Sequence, residues 1–158
     1  MRKAIDLELN PGAIPIERIE IDAKSRDDIP KLLRGLQQVY GDKNARAHLF
    51  ELLDAHFRSE TGRKAGRPDL EMWRILVLAV LKQGLGCDFD HVRELANQHM
   101  TLREMLGHGP SYLDDERYDR RFLKDNVALL SPELLREVNS LMASAGHAAA
   151  KGKPSTSY

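Results

Sequence analysis

Residues 66–97 read GRPDLEMWRILVLAVLKQGLGCDFDHVRELAN. After Gly66-Arg67-Pro68, the run Leu70, Met72, Trp73, Ile75, Leu76, Val77, Leu78, Ala79, Val80 and Leu81 has almost no polar interruption. A surface helix is apolar along one stripe, whereas a helix apolar nearly all round is enclosed by neighbours. The stretch predicts a central helix over Asp69–Gln83, capped by Asp69 and stopped by Gly84 and Gly86. A second helix then starts at Asp88 or Asp90 and buries Val92, Leu95 and Ala96.

The flanking sequence supplies amphipathic partners. Ile29, Leu32, Leu33, Leu36, Val39 and Tyr40 recur at helical spacing, with Asp27 or Asp28 before them and Gly41 after. Leu49, Leu52, Leu53 and Phe57 repeat the pattern. Met100–Leu106 follows residues 88–97 after a short break at Gln98-His99, a pairing that resembles a helix-turn-helix. A further helix is expected from Glu116 to Leu130. Ser131-Pro132-Glu133 then opens a last one, with Leu134, Leu135, Val138, Leu141 and Met142 as its stripe and Gly146 as its C-cap.

The fold class expected is therefore all-α: a compact multi-helix bundle containing a helix-turn-helix-like unit. Residues 1–24 alternate apolar and charged side chains around Asn10-Pro11-Gly12 and Pro15, and read as an extended arm or loose hairpin. Residues 25–147 form the helical domain. Residues 148–158, AAAKGKPSTSY, have nothing to bury and are expected to be a disordered tail.

Composition excludes several classes. The longest apolar run, Ile75–Leu81, is seven residues against the roughly 20 of a membrane span. Cys87 is the sole cysteine, so no intramolecular disulfide exists, which fits a reducing cytosol. Cytoplasmic residence is the expectation. Net charge is zero, but unevenly spread. Residues 31–67 hold eight cations against four carboxylates and residues 117–158 hold seven against four; residues 68–116 hold four against nine. A fold that joined the two basic blocks would create a cationic surface despite the neutral total.

The main candidate for chemistry is Arg117, Arg120, Arg121 and Lys124, spaced i, i+3, i+4 and i+7, which on one helix share a stripe opposite Tyr118, Phe122, Leu123 and Val127. A packed back and a cationic front suit a helix lying on DNA. A solvated basic face is the plainer reading. The loop Gly62–Pro68 adds Arg63, Lys64 and Arg67, and its Gly66-Arg67-Pro68 is similar to the centre of an AT-hook. A basic interhelical linker explains it unless the domain binds DNA for other reasons. No metal or cofactor site is expected. His48 and His56, like His91 and His99, are eight apart rather than four, and Asp114-Asp115-Glu116 reads as negative charge at the start of the following helix. Cys87 reads as an inert thiol.

Four stretches, SRDDIPKLLRGLQQVY (25–40), residues 66–97, LREMLG (102–107) and LKDNVALLSPELLREVNSLMASAGH (123–147), resemble the N-terminal region of bacterial DDE-class insertion-sequence transposases of the ISNCY-like group. The resemblance implies a DNA-binding domain that recognises the inverted-repeat ends of a mobile element, active in transposition at the bacterial nucleoid. In that family an RNase H-like domain with two metal ions follows and performs DNA recombination. Here eleven residues follow His147, so the expectation is a truncated or split transposase that binds double-stranded DNA and is not itself an enzyme. The alternatives are a self-associating homo-oligomer or inhibitory module that pairs with full-length transposase, and a non-functional remnant.

Overall fold

The computed structural model describes residues 7–22, 24–61 and 67–152. Seven α-helices are present among them: α1 Asp28–Gly41, α2 Lys43–Thr61, α3 Asp69–Leu85, α4 Phe89–Gln98, α5 Met100–Met105, α6 Arg120–Asn126 and α7 Pro132–Gly152. Single 3-10 turns occur at Ile16–Arg18 and Val127–Leu129, and no strand is found among the described residues. The all-α reading holds.

Helix α3 lies in the middle for the reason its sequence suggests. Met72 to Leu81 are ten consecutive buried residues, which only a helix contacted from several sides can have. It ends as Gly86 turns into the left-handed conformation at φ 61°, where glycine carries no Cβ penalty. Its start differs from expectation. Pro68 is the N-cap residue without a side-chain cap, and Asp69 lies in the first turn, where its charge suits the helix dipole. Around α3 pack α1, α2, α4 and α6, and α7 covers α1 and α2.

Leu33, Leu36 and Val39 of α1, Leu49 and Leu53 of α2, and Val138 of α7 are fully buried in one core. The apolar stripes of α1 and α2 are thus occupied within this chain. Leu134 and Leu135 of α7 are buried in the same core. Ser131 Oγ accepts from the Leu134 amide at 3.1 Å, the expected cap. Gly146 does not end α7, which runs on through alanines of high helix propensity to Gly152. The tail expected from 148 thus begins helically, and residues 153–158 lie outside the described residues.

The N-terminal arm is extended but not loose. Ile16 and Ile19 belong to the core, and the Gln37 amide on α1 donates to both their carbonyls at 3.0 and 2.8 Å. Only His99 separates α4 from α5, fewer residues than the three- or four-residue turn of a helix-turn-helix. Leu102, Arg103 and Met105 of α5 are buried, so this helix offers little surface to a groove.

Candidate nucleic-acid interface

The segment 116–130 departs most from the sequence reading. It is not one helix. Residues 116–119 stay extended because Asn97 on α4 grips the Tyr118 backbone from both sides, its amide donating to the carbonyl at 2.9 Å and its oxygen accepting from the N–H at 2.7 Å. The helix starts only at Arg120, with Asp119 Oδ1 accepting from the Phe122 amide at 2.7 Å. Asp119, not the 114–116 carboxylates, is the N-cap.

This breaks the four-residue stripe. Arg117 precedes the helix and its guanidinium donates to the carbonyls of Glu116 at 2.9 Å and Asp114 at 3.3 Å. Arg120, Arg121 and Lys124 do share the solvent face of α6, while Leu123 and Val127 pack inward. Arg120 meets Asp90 of α4 at 3.3 Å and Arg121 meets Asp125 at 3.7 Å, both pairs highly exposed. Exposed ion pairs contribute about 0–1 kcal/mol, so a phosphate could replace either carboxylate at little cost. Lys124 has no ion partner among the described residues.

A fourth cation joins this face, one the sequence reading did not include. Asp90 reaches Arg120 and Asn97 reaches Tyr118, so the 90–93–97 row of α4 faces α6. Arg93 lies on that row and is exposed. Its signal in the sequence was only i+3 from Asp90 and i−4 from Asn97, which has meaning once α4 and α6 are known to be neighbours.

Arg63 and Lys64 lie outside the described residues. Arg67 turns inward. Its guanidinium lies 4.9 Å over the Phe57 ring and donates to Asn126 at 2.7 Å and Glu71 at 3.3 Å, fastening α2, α3 and α6. That placement makes it part of the packing, with 14% of its side chain exposed, rather than a clamp on DNA.

A polar cluster beneath this face went unread in the sequence. His108 is 1% exposed; its Nδ1 lies 3.0 Å from Asp114 Oδ2 and its Nε2 lies 2.7 Å from the Tyr118 hydroxyl. An ionised carboxylate can only accept, so the proton belongs on Nδ1 and Nε2 accepts from the tyrosine. Burial pushes the Asp114 carboxyl up, but hydrogen bonds from Asn10, the Gly109 amide, His108 and the Glu116 amide outweigh it and hold it well below the carboxylate range. Burial and then the Arg74 charge push His108 below its ordinary 6.5, against the pull of Asp114. Burial raises Tyr118, which stays a neutral donor.

His108, Asp114 and Glu116 bring ligand atoms within 4.8 Å of one another, the spacing of a metal site. The Asn10 amide nitrogen stands among them, 2.8 Å from Asp114, 2.9 Å from Glu116 and 3.3 Å from His108 Nδ1. An amide NH2 already meets the carboxylates where a cation would, and it fixes the arm to the 107–116 loop. A Cβ on Gly109 would run into the Pro11 carbonyl, so this junction also needs glycine for close approach.

Two consecutive residues of α3 close the neighbouring helix. Trp73 Nε1 donates to the Met105 carbonyl at 2.7 Å and Arg74 Nε to the Leu106 carbonyl at 2.8 Å, satisfying acceptors that the end of α5 leaves open. Arg103 donates to the carbonyls of Ala96 and Glu116 at 3.1 and 2.9 Å. His99, read earlier only as a break, caps α5 by accepting from the Leu102 amide at 3.2 Å. Burial pushes the Cys87 thiol up, the direction of an unreactive thiol.

No protein-family model, curated protein or solved structure matches the chain. Among the described residues no helix is long and apolar enough to cross a membrane.

Proposed function

We propose that this chain is a DNA-binding module of an insertion-sequence transposase, recognising the inverted-repeat ends of the element and carrying no strand-cutting chemistry of its own. The observation that supports it best is the solvent face of α6, where Arg120, Arg121 and Lys124 stand together beside Arg93 of α4. Their carboxylate partners are exposed and readily exchanged for phosphate oxygens. A rigid apolar back, Leu123 and Val127, holds the face in place, so the side chains meet a duplex with little backbone ordering left to do. The resemblance of the four sequence stretches to transposase N-terminal regions supplies the class of target.

Four neutralised phosphates give a slope of log K against log salt of about −3.6. The double variant Arg120→Ala, Arg121→Ala should keep its helicity and lose about two units of that slope. Shift assays on duplexes carrying the repeats that flank the gene, with a scrambled duplex beside them, measure both. Unchanged affinity and slope in the double variant would take α6 out of the interface. Nicking of those duplexes by the pure protein with magnesium or manganese would overturn the non-catalytic part of the proposal.

A further inference from the structure

Four large apolar side chains are exposed among the described residues: Ile14 at 37%, Met100 at 76%, Tyr112 at 85% and Leu113 at 54%. Ile14, Met100 and Leu113 come from three distant segments, yet they gather at one place. Ile14 and Met100 line a cleft of about 460 Å³ between the arm, α5 and the 107–114 loop. Leu113 packs against Gly12, which lines the same cleft. Apolar residues scattered singly need no explanation, but a contiguous group round a concavity marks a binding surface.

The walls of this cleft are fixed before any partner arrives. His108 and Gly109 form part of it and are tied to Asp114, and Arg103 spends its guanidinium on two carbonyls. Arg103 therefore does not neutralise its neighbour Glu104, a half-buried cleft residue whose carboxylate has no partner among the described residues. Burial, and then the charge of Glu20, push that carboxyl up. A shallower groove beside Thr101 is lined by Glu20 and Asp22 together with Lys24.

We propose that this cleft is a docking site for a basic, apolar-anchored segment of another protein: a large apolar side chain enters beside Ile14 and Met100, and an adjacent Lys or Arg meets Glu104. The charge decides among occupants. A nucleic acid or an anionic lipid surface would set its phosphates against Glu104, Glu20 and Asp22. A second copy turned onto the same face would set these three carboxylates against themselves. A cation instead gives the half-buried carboxylate the partner it lacks. No residue of α6 lines the cleft, and the proposal does not depend on DNA binding.

The test uses the full chain and labelled amphipathic peptides of about 15 residues, one of Leu and Lys and one of Leu and Glu, followed by fluorescence anisotropy. The Leu/Lys peptide should bind, and the exposed-site variant Met100→Asp, Leu113→Asp should weaken it about tenfold or more. Glu104→Gln should weaken it about threefold and flatten its salt dependence. The Arg120→Ala, Arg121→Ala variant should bind it as the parent does, which separates this surface from the DNA reading. Equal binding of the Leu/Glu peptide, or indifference to Met100→Asp, Leu113→Asp in a chain with an unaltered melting curve, would overturn the proposal. So would self-association in sedimentation that the same variant abolishes, since it would assign the face to a second copy.

Discussion

Two regions of this molecule are held by different means. Around α3 the contacts are apolar and numerous: Trp73 lies 5.3 Å from the Tyr40 ring and 6.4 Å from Phe50, and Leu33, Leu36, Leu49 and Leu53 close in from α1 and α2. Around His108 they are polar, few and mutually dependent, since Asp114 alone serves Asn10, His108 and the amides of Gly109 and Glu116. Apolar packing loses stability in proportion to the volume removed. A buried network loses it in steps, because one deletion strands every partner at once.

The largest expected effect lies where the two regions touch. Trp73→Ala removes a fully buried ring and the donor to the α5 terminus, and should cost about 3–5 kcal/mol in urea unfolding. A cost under about 1 kcal/mol would mean that α3 is not the core. Asp114→Ala comes next, at about 2–4 kcal/mol, and should also speed amide exchange at Asn10 and Ile19 by freeing the arm. A loss of stability without faster exchange there would break the distinction drawn between the regions.

Acid sharpens the comparison, since the His108 cluster is where the pKa of a fully buried histidine is lowered. The unfolded chain takes up that proton first, so stability should fall as pH drops below about 6.5, by at most about 1.4 kcal/mol per unit for one proton. His99, lowered by burial, acts in the same direction. Below 3.8 the lowered Asp114 adds a further loss as its carboxylate is titrated, and Asp114→Ala should lack that part. Urea midpoints taken across the range measure both. A flat profile between about pH 7.5 and 5 would remove His108 from the buried network. Tyr118→Phe has the smallest effect, about 1 kcal/mol, as His108 Nε2 loses its donor while the ring stays packed between His108 and Phe122.

The same contrast explains what the sequence revealed. The period and length of Leu70–Leu81 were enough to place α3 to within two residues at its C-terminus, because burial on all sides leaves few polar positions, Arg74 alone among the buried ones. The stripes of α1, α2 and α7 were legible from the helical spacing of their apolar residues. The candidate site was legible only in part. Arg120, Arg121 and Lys124 share a face as their spacing requires, but Arg117 falls away because helical phase was carried backward through residues that a distant side chain holds extended. Arg67 was read as a free cation, although its partners Phe57 and Asn126 lie ten and 59 positions away. Asn10, His108 and Asp114 have no periodicity at all, and nothing local says that they meet.

Asn97 acts on the backbone of Tyr118 as a neighbouring strand would, with one donor and one acceptor in register. That single amide is a brake on helix growth. Together with the Asp119 cap and the Arg103 bond to the Glu116 carbonyl, it keeps α6 from winding back toward Glu116 and Arg117 from joining Arg120, Arg121 and Lys124 on one helical face. The number of positive charges that α6 can offer on one face thus depends on a neutral side chain on another helix.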